Sequence, residues 1–365
     1  MSDTANLQYK LSQQAFNAEN AGRLRSPADD YRRAVLLDKN NPTPYLYLGH
    51  VLKKMGDSEA AVQVYSLAAD VSPRAVDAWR NPEISEDIRL RSHQADEMIR
   101  AQFTELHRNA IAEYHQHHPE AAVERIYAAL WCTTHDQEFA FKDELQRPHL
   151  FYVPDLAPIA IFDSSLYPWC GALESAWEEI RQEYYQVAEN PVISGVPYIE
   201  ANTTGLGEPW GKLIGSTNWS SLHLYKDDKK DSLLVSLLPK TCALLEPVPL
   251  LRTFGQAREV LFSILQGNQH IPAHYGLANT DMTVHLPLIT SNQAGIKVTD
   301  HVHHWQEGEI FLFDDSYIHE SWNDSSETRV NLLFGAWHPD LSIDEQNAVS
   351  LSFESRQAWN HSRTI

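Results

Sequence analysis

The sequence predicts an α+β protein of more than one domain, in which an all-α helical-repeat region precedes a jelly roll with flanking helices. Its 365 residues are many for a single domain. The first part of the chain carries small and aromatic residues that recur at a fixed helical-repeat period. The second half carries short apolar segments at nearly regular spacing, separated by turn residues, which is typical of a sandwich or jelly roll.

The helical repeat has a period of 34 residues. It relates Gly22 to Gly56 and Tyr31 to Tyr65. The clearer second copy reads PYLYLGHVLKKMGDSEAAVQVYSLAADVSP. Its small residues let two helices approach closely, Gly-Asp makes the turn, and a proline ends the second helix. The pattern resembles the tetratricopeptide repeat, and an ordinary helical hairpin is the alternative.

The domain boundaries follow from shifts in composition. We predict a helical, tetratricopeptide-like region over residues 1–145, the strand-rich domain over 146–345, and a C-terminal helix or tail over 346–365. Within them, helical spacing predicts single helices over 86–118, 119–143 and 166–188. A capping-box pattern, Ser-Ile-Asp-Glu from position 342, opens the last helix.

Charge and cysteine content restrict the partners and the compartment. The chain has 29 basic and 49 acidic residues, a net charge of −20, so we expect neither nucleic acid nor an anionic membrane as a partner. No apolar run approaches 18 residues, and the first residues lack a secretory pattern. The 3 cysteines are widely separated, which favours a reducing compartment. We therefore expect a cytoplasmic protein.

Histidines and one arginine lie on particular predicted strands. His274 precedes a turn, His285 lies within a strand, His319 follows a strand, and Arg329 begins the next one. A jelly roll can bring such positions to one mouth, where two imidazoles can bind Fe(II). An arginine deeper in the barrel can bind a carboxylate through its planar fork. This pattern suggests a cosubstrate that chelates metal at one end and carries a carboxylate at the other, as 2-oxoglutarate does.

One feature opposes an iron site. The usual non-haem iron motif is His-x-Asp/Glu with a distant histidine, but His274 is followed two positions later by Gly276. Taken singly, His274 and His319 are better explained as core or turn histidines.

The second half of the chain also resembles a known family. The segments HIPAHYG, HLPLI, EGEIFLFDDSYIHE and WHPDLS occur in the order found in the aspartyl/asparaginyl β-hydroxylase family. The resemblance extends over about residues 146–345, and helical repeats precede this domain in the family too. It implies a double-stranded β-helix, or cupin-like, fold. It also implies hydroxylation of an unactivated carbon with Fe(II), 2-oxoglutarate and O2.

The resemblance implies a role for each site residue. His274 and His319 would bind the metal, and Gly276 would stand where other oxygenases carry a carboxylate, leaving room for water. Ser263, His285 and Arg329 would bind 2-oxoglutarate. The catalytic residues would therefore be His274, His319 and Arg329.

Three positions depart from the family pattern that reads the substrate. The family commonly has an arginine at the position of Asp281. Animal enzymes of the family have a second arginine at the position of Thr283. Ser221 occupies the position of a polar residue in the substrate pocket. Asp281 would repel an aspartyl carboxylate unless it is turned away, so a cationic or neutral substrate becomes possible. We expect Asp314 and Asp315 to shape the turn before the second metal histidine.

The function expected from the resemblance is hydroxylation, with the β-carbon of an aspartyl or asparaginyl residue or a related amino acid as one target. The alternatives are hydroxylation of a small molecule or lipid, and a catalytically inactive repeat and jelly-roll binding protein. We expect a peptide, protein or small-molecule substrate, and a protein partner could bind the helical repeats.

Overall fold

A computed structural model describes residues 3–136, 140–203 and 206–365. The chain divides into two compact units, one comprising Met1–Ala112, Thr133–Glu138 and Ser355–Ile365, the other comprising Glu113–Cys132 and Phe139–Glu354. Among the described helices, none is both long enough and apolar enough to cross a membrane.

The first unit is built from helices, as the sequence predicts. They are α1 (Asp3–Asn20), α2 (Arg25–Leu37), α3 (Thr43–Lys54), α4 (Ser58–Val71), α5 (Pro73–Val76) and the long α6 (Glu86–His117), of which the last residues belong to the second unit.

The repeated residues of this unit form its core. Tyr31 and Tyr65 are fully buried. Gly49 lies against the Tyr65 ring, since a Cβ atom at position 49 would be 2.5 Å from it. Gly56 has a φ of 85°, a conformation that favours glycine, and lies in the α3–α4 turn. The helical hairpins are therefore consistent with tetratricopeptide-like repeats.

A buried ion pair ties three helices of this unit together. The Arg91 guanidinium, on α6, lies 3.2 Å from Oε1 of Glu19 on α1 and 3.0 Å from Asp87, and its side chain is 3% exposed. Lys54 on α3 also reaches Oε1 of Glu19, at 3.0 Å. Burial makes this pair depend on both partners, because Glu19 without Arg91 would be compensated mainly by the half-exposed Lys54.

The single helix predicted over 119–143 is wrong. That segment contains only the short helix α7 (Glu124–Tyr127), followed by strand β1 (Leu130–Trp131), among its described residues. β1 pairs antiparallel with β2 (Phe151–Tyr152). Strand pairing therefore overrides the helical pattern of the sequence. Residues 137–139 of the predicted helix lie outside the described residues.

The helix predicted over 166–188 is divided in two. α8 (Pro168–Ser175) and α9 (Trp177–Ala188) meet at Ala176, where φ is −108° and ψ is 11°. Just before the break, the Ser175 hydroxyl donates to the Gly171 carbonyl at 2.7 Å, a bond that competes with regular helix.

The other helices of the second unit are α10 (Ser232–Leu237), α11 (Pro239–Leu245) and α12 (Ile343–Ser362), whose last residues belong to the first unit. α12 begins with the predicted capping box. The Glu345 carboxylate accepts from the Ser342 amide at 2.9 Å, and the Ser342 hydroxyl accepts from the Glu345 amide at 3.2 Å.

In the described part of the second unit, two antiparallel sheets face each other. Their strands are β3 (Ile161–Phe162), β4 (Val196–Pro197), β5 (Trp219–Lys226), β6 (Lys229–Lys230), β9 (Glu259–Leu265), β10 (Gln269–His274), β11 (Asp281–Ile289), β12 (Ala294–Val298), β13 (His301–His304), β14 (Phe311–Phe313), β15 (His319–Asn323) and β16 (Arg329–Trp337). The larger sheet has the order β3-β14-β11-β16-β9-β5-β4, with β6 paired to β5, and the smaller sheet has the order β10-β15-β12-β13. The strands β7 (Arg252–Thr253) and β8 (Gln256–Ala257) form a separate hairpin.

The larger sheet has two different faces. One face packs its apolar side chains against helices α8 to α11, with Phe262 and Leu332 among the fully buried residues. The opposite face looks into a cavity whose other wall is formed by the smaller sheet. This arrangement confirms the predicted jelly roll and brings β9, β11 and β16 side by side beneath the cavity.

Candidate active site

A cavity of about 500 Å³ lies between the two sheets. The five residues predicted as site residues all line it. Ser263, His285 and Arg329 come from the larger sheet, and His274 and His319 come from the smaller one. The structure thus brings together side chains that are far apart in sequence.

The two histidines form a pair on adjacent strands. Residues 274 and 319 are partners across β10 and β15, after a register irregularity between Ile271 and His274. Their ring centroids are 4.1 Å apart. The irregularity lets a histidine at the end of β10 face one at the start of β15.

Each ring is held through the same nitrogen. Nδ1 of His274 lies 2.7 Å from the Pro272 carbonyl oxygen, and Nδ1 of His319 lies 2.9 Å from the Tyr317 carbonyl oxygen. Since a carbonyl can only accept, both Nδ1 atoms carry the proton and both Nε2 atoms keep a lone pair. Burial lowers both pKa values, that of His319 to about 3, so the rings are neutral. A neutral imidazole with a fixed tautomer is the form that binds a metal.

The space beside Gly276 is filled by a carboxyl group. A Cβ atom at position 276 would lie 2.0 Å from Cγ and Oδ1 of Asp315, and the Gly276 amide donates to the Asp315 carbonyl at 2.6 Å. The expectation that the glycine leaves room for water in this direction is therefore wrong.

The two aspartates before His319 have different roles. Asp314 shapes the turn as predicted, since it accepts from the Ser316 amide at 2.9 Å and from Nε2 of Gln146 at 2.7 Å. Asp315 instead lines the cavity.

The donor set fits Fe(II). Among residues 3–136, 140–203 and 206–365, no group of three or more His, Cys, Asp or Glu side chains is arranged to hold a metal ion. The histidine pair is thus the candidate ligand set, and imidazole nitrogens are suitable donors to Fe(II). Two protein ligands leave the other coordination positions of the metal open to a chelating cosubstrate.

Arg329 is a buried cation that offers a hydrogen bond. Its side chain is 1% exposed and lines the cavity. Within the described residues its Nε has no hydrogen-bond partner. Burial lowers the pKa of the guanidinium to about 9, so it is still charged at neutral pH. A buried, charged donor of this kind fits the carboxylate of a ligand.

Two neighbours of Arg329 on the same face complete this end of the cavity. Trp219 Nε1 donates to the Ser263 hydroxyl oxygen at 3.1 Å, which leaves the hydroxyl proton for a ligand oxygen. Burial, together with the Arg329 charge, holds the pKa of His285 well below its usual range. The three predicted cosubstrate residues therefore present a hydroxyl, a neutral imidazole and a guanidinium to one space, which fits 2-oxoglutarate.

Asn331 belongs to this end of the cavity, although no sequence motif singles it out. Its side-chain amide lies 3.0 Å from Nδ1 of His285. With the amide oxygen turned toward this ring, it also accepts from Nη1 of Arg329 at 3.3 Å. Asn331 is two residues beyond Arg329 on β16, so strand alternation is the signal that could have identified it.

The three positions that depart from the family pattern lie in different places. Asp281 and Thr283 line the cavity. Ser221 is buried, with its hydroxyl 2.8 Å from Nε2 of His223.

A jelly roll whose cavity carries a histidine pair and a buried arginine has the arrangement that the sequence predicts for an oxygenase domain. Residues 174–339 match the profile of the aspartyl/asparaginyl beta-hydroxylase family. The resemblance predicted from the sequence is therefore confirmed for this domain, which accounts for most of the strand-rich half.

Individual relatives agree with this assignment. The ornithine lipid ester-linked acyl 2-hydroxylase of Rhizobium tropici is 32% identical over 177 residues, which are 47% of this chain and 58% of the relative. The aspartyl/asparaginyl beta-hydroxylase of Homo sapiens is 28% identical over 180 residues, 49% of this chain and 22% of the relative. The human aspartate beta-hydroxylase domain-containing protein 2 is 26% identical over 223 residues, 58% and 56% of the two chains. The chain thus spans less than two thirds of each.

Proposed function

We propose that the protein is an Fe(II)- and 2-oxoglutarate-dependent hydroxylase that acts on an unactivated carbon. The observation that carries the proposal is the shared cavity. Two neutral histidines, each with Nδ1 tied to a carbonyl, face the same space as a buried arginine whose Nε has no partner among the described residues.

His274 and His319 would hold the metal through Nε2. Bound there, Fe(II) with 2-oxoglutarate and O2 supplies the oxidising chemistry that the protein side chains lack. The carbonyl oxygens of Pro272 and Tyr317 keep both rings in the ligating tautomer. The protein therefore orients the ligands before the cosubstrate arrives.

At the other end of the cavity, Arg329 would bind the distal carboxylate of 2-oxoglutarate. Ser263 would donate its hydroxyl proton to the same group. Asn331 holds the ring and guanidinium of this end in position through Nδ1 of His285 and Nη1 of Arg329. Because Arg329 is almost fully buried, water competes weakly for it, and the ion pair gains strength in the dry interior.

The substrate is a separate question from the cofactors. Relatives of this chain are named for hydroxylation of aspartyl and asparaginyl residues and of an ornithine lipid acyl chain. Both are hydroxylations at carbon, and this shared chemistry is what we propose for the chain.

The test is binding and turnover of the cofactors. Under exclusion of O2, adding 2-oxoglutarate to the Fe(II)-loaded protein should produce the weak visible charge-transfer band of a chelated complex. Admission of O2 should then convert 2-oxoglutarate to succinate and CO2. A protein that binds neither Fe(II) nor 2-oxoglutarate would contradict the proposal and favour a jelly-roll binding protein without turnover.

A further inference from the structure

We propose that the cavity selects a substrate bearing an organic cation, an ammonium or guanidinium group, which binds between Asp281 and Glu259. This inference rests on the proposed function, since it assigns the substrate class to the same cavity. It is carried by the placement of the carboxylates, the charge balance around them, and their separation from Arg329.

Asp281 is built into the cavity wall. It is the first residue of β11 and lies on the same strand face as Thr283 and His285. A Cβ atom at Gly335, on the neighbouring strand β16, would lie 2.7 Å from Oδ2 of Asp281. The glycine therefore makes the space that the carboxyl group occupies. The Thr280 hydroxyl donates to Oδ1 at 3.2 Å, which fixes one oxygen of the carboxyl group.

Glu259 approaches from the other side of β16. It begins β9, which pairs with β16 on the edge opposite to β11. Its Oε1 lies 3.7 Å from Nδ1 of His223. Burial lowers the pKa of His223 to about 4, so this ring is neutral and supplies no positive charge. The two carboxylates thus flank one strand and face the same cavity.

The protein's own cations compensate this acidic end only in part, through the nearby charge of Arg258. Lys226 is paired at the exposed rim with Glu200, at 3.2 Å. Arg258 lines the cavity, but its guanidinium lies 4.8 Å from the centre of the Phe353 ring and, among the described residues, it forms no ion pair. It is therefore one positive charge set against the two carboxyl groups of Asp281 and Glu259 in the cavity wall.

Burial raises the pKa of both carboxyl groups. It raises that of Glu259 to about 7, with smaller contributions from the charges of Asp227 and Asp281, and that of Asp281 to about 6, while the Arg258 charge lowers both. A bound cation would relieve both effects, because it favours the ionised form of each carboxylate. A substrate carboxylate would instead raise both pKa values further, because a nearby negative charge disfavours ionisation.

An aromatic ring lies at the same end. Tyr198 lines the cavity and stacks on Trp219 at 4.1 Å. The charge of Glu259 is the main cause that raises the pKa of Tyr198, so the phenol lies near that carboxylate. Aromatic faces next to carboxylates are the surroundings in which ammonium and guanidinium groups bind.

The cavity therefore has two oppositely charged ends. Arg329, with its unpartnered Nε among the described residues, is six residues from Gly335 along β16, which at about 3.3 Å per residue is roughly 20 Å. The cosubstrate carboxylate neutralises the Arg329 end and leaves the Asp281 end for the substrate. The buried arginine indicates that the cavity is built to hold a ligand at its own end, and Asp281 lines the other end of the same cavity.

The experiment measures binding of three matched probes, 1-aminohexane, 1-hexanol and hexanoate, to the full-length protein loaded with Fe(II) and 2-oxoglutarate in the absence of O2. We expect the amine to bind about tenfold or more tightly than the alcohol, and hexanoate to bind weakest. Asp281→Asn and Glu259→Gln should each remove most of this preference. Glu200→Gln, which neutralises an exposed rim carboxylate, is the matched control and should keep it.

Each outcome separates the two proposals. If hexanoate binds as well as the amine, or the preference survives in Asp281→Asn, the cationic substrate class is excluded. Affinity for 2-oxoglutarate is measured on every variant and should be unchanged, since the substituted residues lie at the far end of the cavity. If the parent protein itself does not bind 2-oxoglutarate, that result contradicts the proposed function and not the preference for a cation.

Discussion

The carboxyl group of Asp315 fills the space into which a side chain at Gly276 would extend, 2.0 Å from the position of its Cβ atom. A third carboxylate ligand at position 276 would therefore displace an existing carboxylate.

Gly276→Asp is expected to lower 2-oxoglutarate turnover and stability together. Even Gly276→Ala must move Asp315, and overpacking of this kind costs about 1–3 kcal/mol in the free energy of unfolding. In the double variant Gly276→Ala/Asp315→Ala the collision is relieved, so the midpoint of thermal unfolding should recover. A Gly276→Asp protein more active than the parent would show that the glycine is not part of the working site.

His319→Ala should abolish Fe(II) binding and turnover while the fold is kept. One remaining imidazole cannot hold a labile divalent ion, and no further group of potential ligands exists among the described residues. Iron content after anaerobic loading and the circular dichroism spectrum are the measurements. His304→Ala on the exposed strand β13 is the control and should bind iron normally. Full iron content in His319→Ala would remove this residue from the metal site.

Arg329→Ala should weaken 2-oxoglutarate binding by about thirtyfold or more. Loss of a buried charged partner costs about 2–5 kcal/mol, and 1.4 kcal/mol is tenfold in affinity. Lysine at this position should recover only part, because it lacks the planar fork. Iron binding should change little. The measurement is 2-oxoglutarate affinity of the iron-loaded protein without O2, with Arg252→Ala as an exposed control. Unchanged affinity in Arg329→Ala would place the anchor elsewhere.

Asp281 should make stability fall as pH rises. Folding raises its pKa to about 6, so the folded state holds a proton that the unfolded chain has already released above about pH 4. The free energy of unfolding therefore declines between about pH 4 and 6. Asparagine cannot ionise, so Asp281→Asn does not lose stability in this way. The free energy of unfolding of the variant, relative to that of the parent, should therefore rise across this pH range by at most about 3 kcal/mol. Urea unfolding of the parent and the variant at several pH values measures this difference. If their free energies of unfolding change with pH in parallel, the raised pKa of Asp281 is contradicted.

In the helical unit, Arg91→Ala should lower the free energy of unfolding by about 3–5 kcal/mol, because the buried Glu19 would lose its buried cation and keep the half-exposed Lys54, and Asp87 would lose its partner. Arg33→Ala is the matched control. Arg33 pairs with Asp30 at 3.6 Å, and the Arg33 side chain is exposed to solvent. Its loss should therefore lower the free energy of unfolding by less than about 1 kcal/mol. Thermal and urea unfolding of the two variants compare them directly, and equal effects would mean that burial of the pair is unimportant.

The sequence predicts the central strands and the positions of the site residues, because these depend on local patterns along the chain. Short β-rich apolar segments bounded by turn residues place β9, β11 and β16 correctly. The positions of His274, His319 and Arg329 at the ends of predicted strands indicate a common mouth, and all three side chains line one cavity.

Sequence patterns are uninformative where tertiary contacts decide the outcome. The segment 119–143 has helical spacing, yet Leu130 and Trp131 pair with the strand at Phe151. The direction of Asp315 depends on how the chain leaves β14, and no local pattern distinguishes it from Asp314. The role of Asn331 depends on its contacts with two other side chains.

Gly335, Asp281 and Glu259 lie at one end of three neighbouring strands, and Arg329 lies at the opposite end of the middle strand. The residues proposed to recognise the substrate can therefore be exchanged without disturbing those proposed to hold the cosubstrate. A small combinatorial library at these three positions, screened by 2-oxoglutarate consumption, is a direct route to variants with altered selectivity.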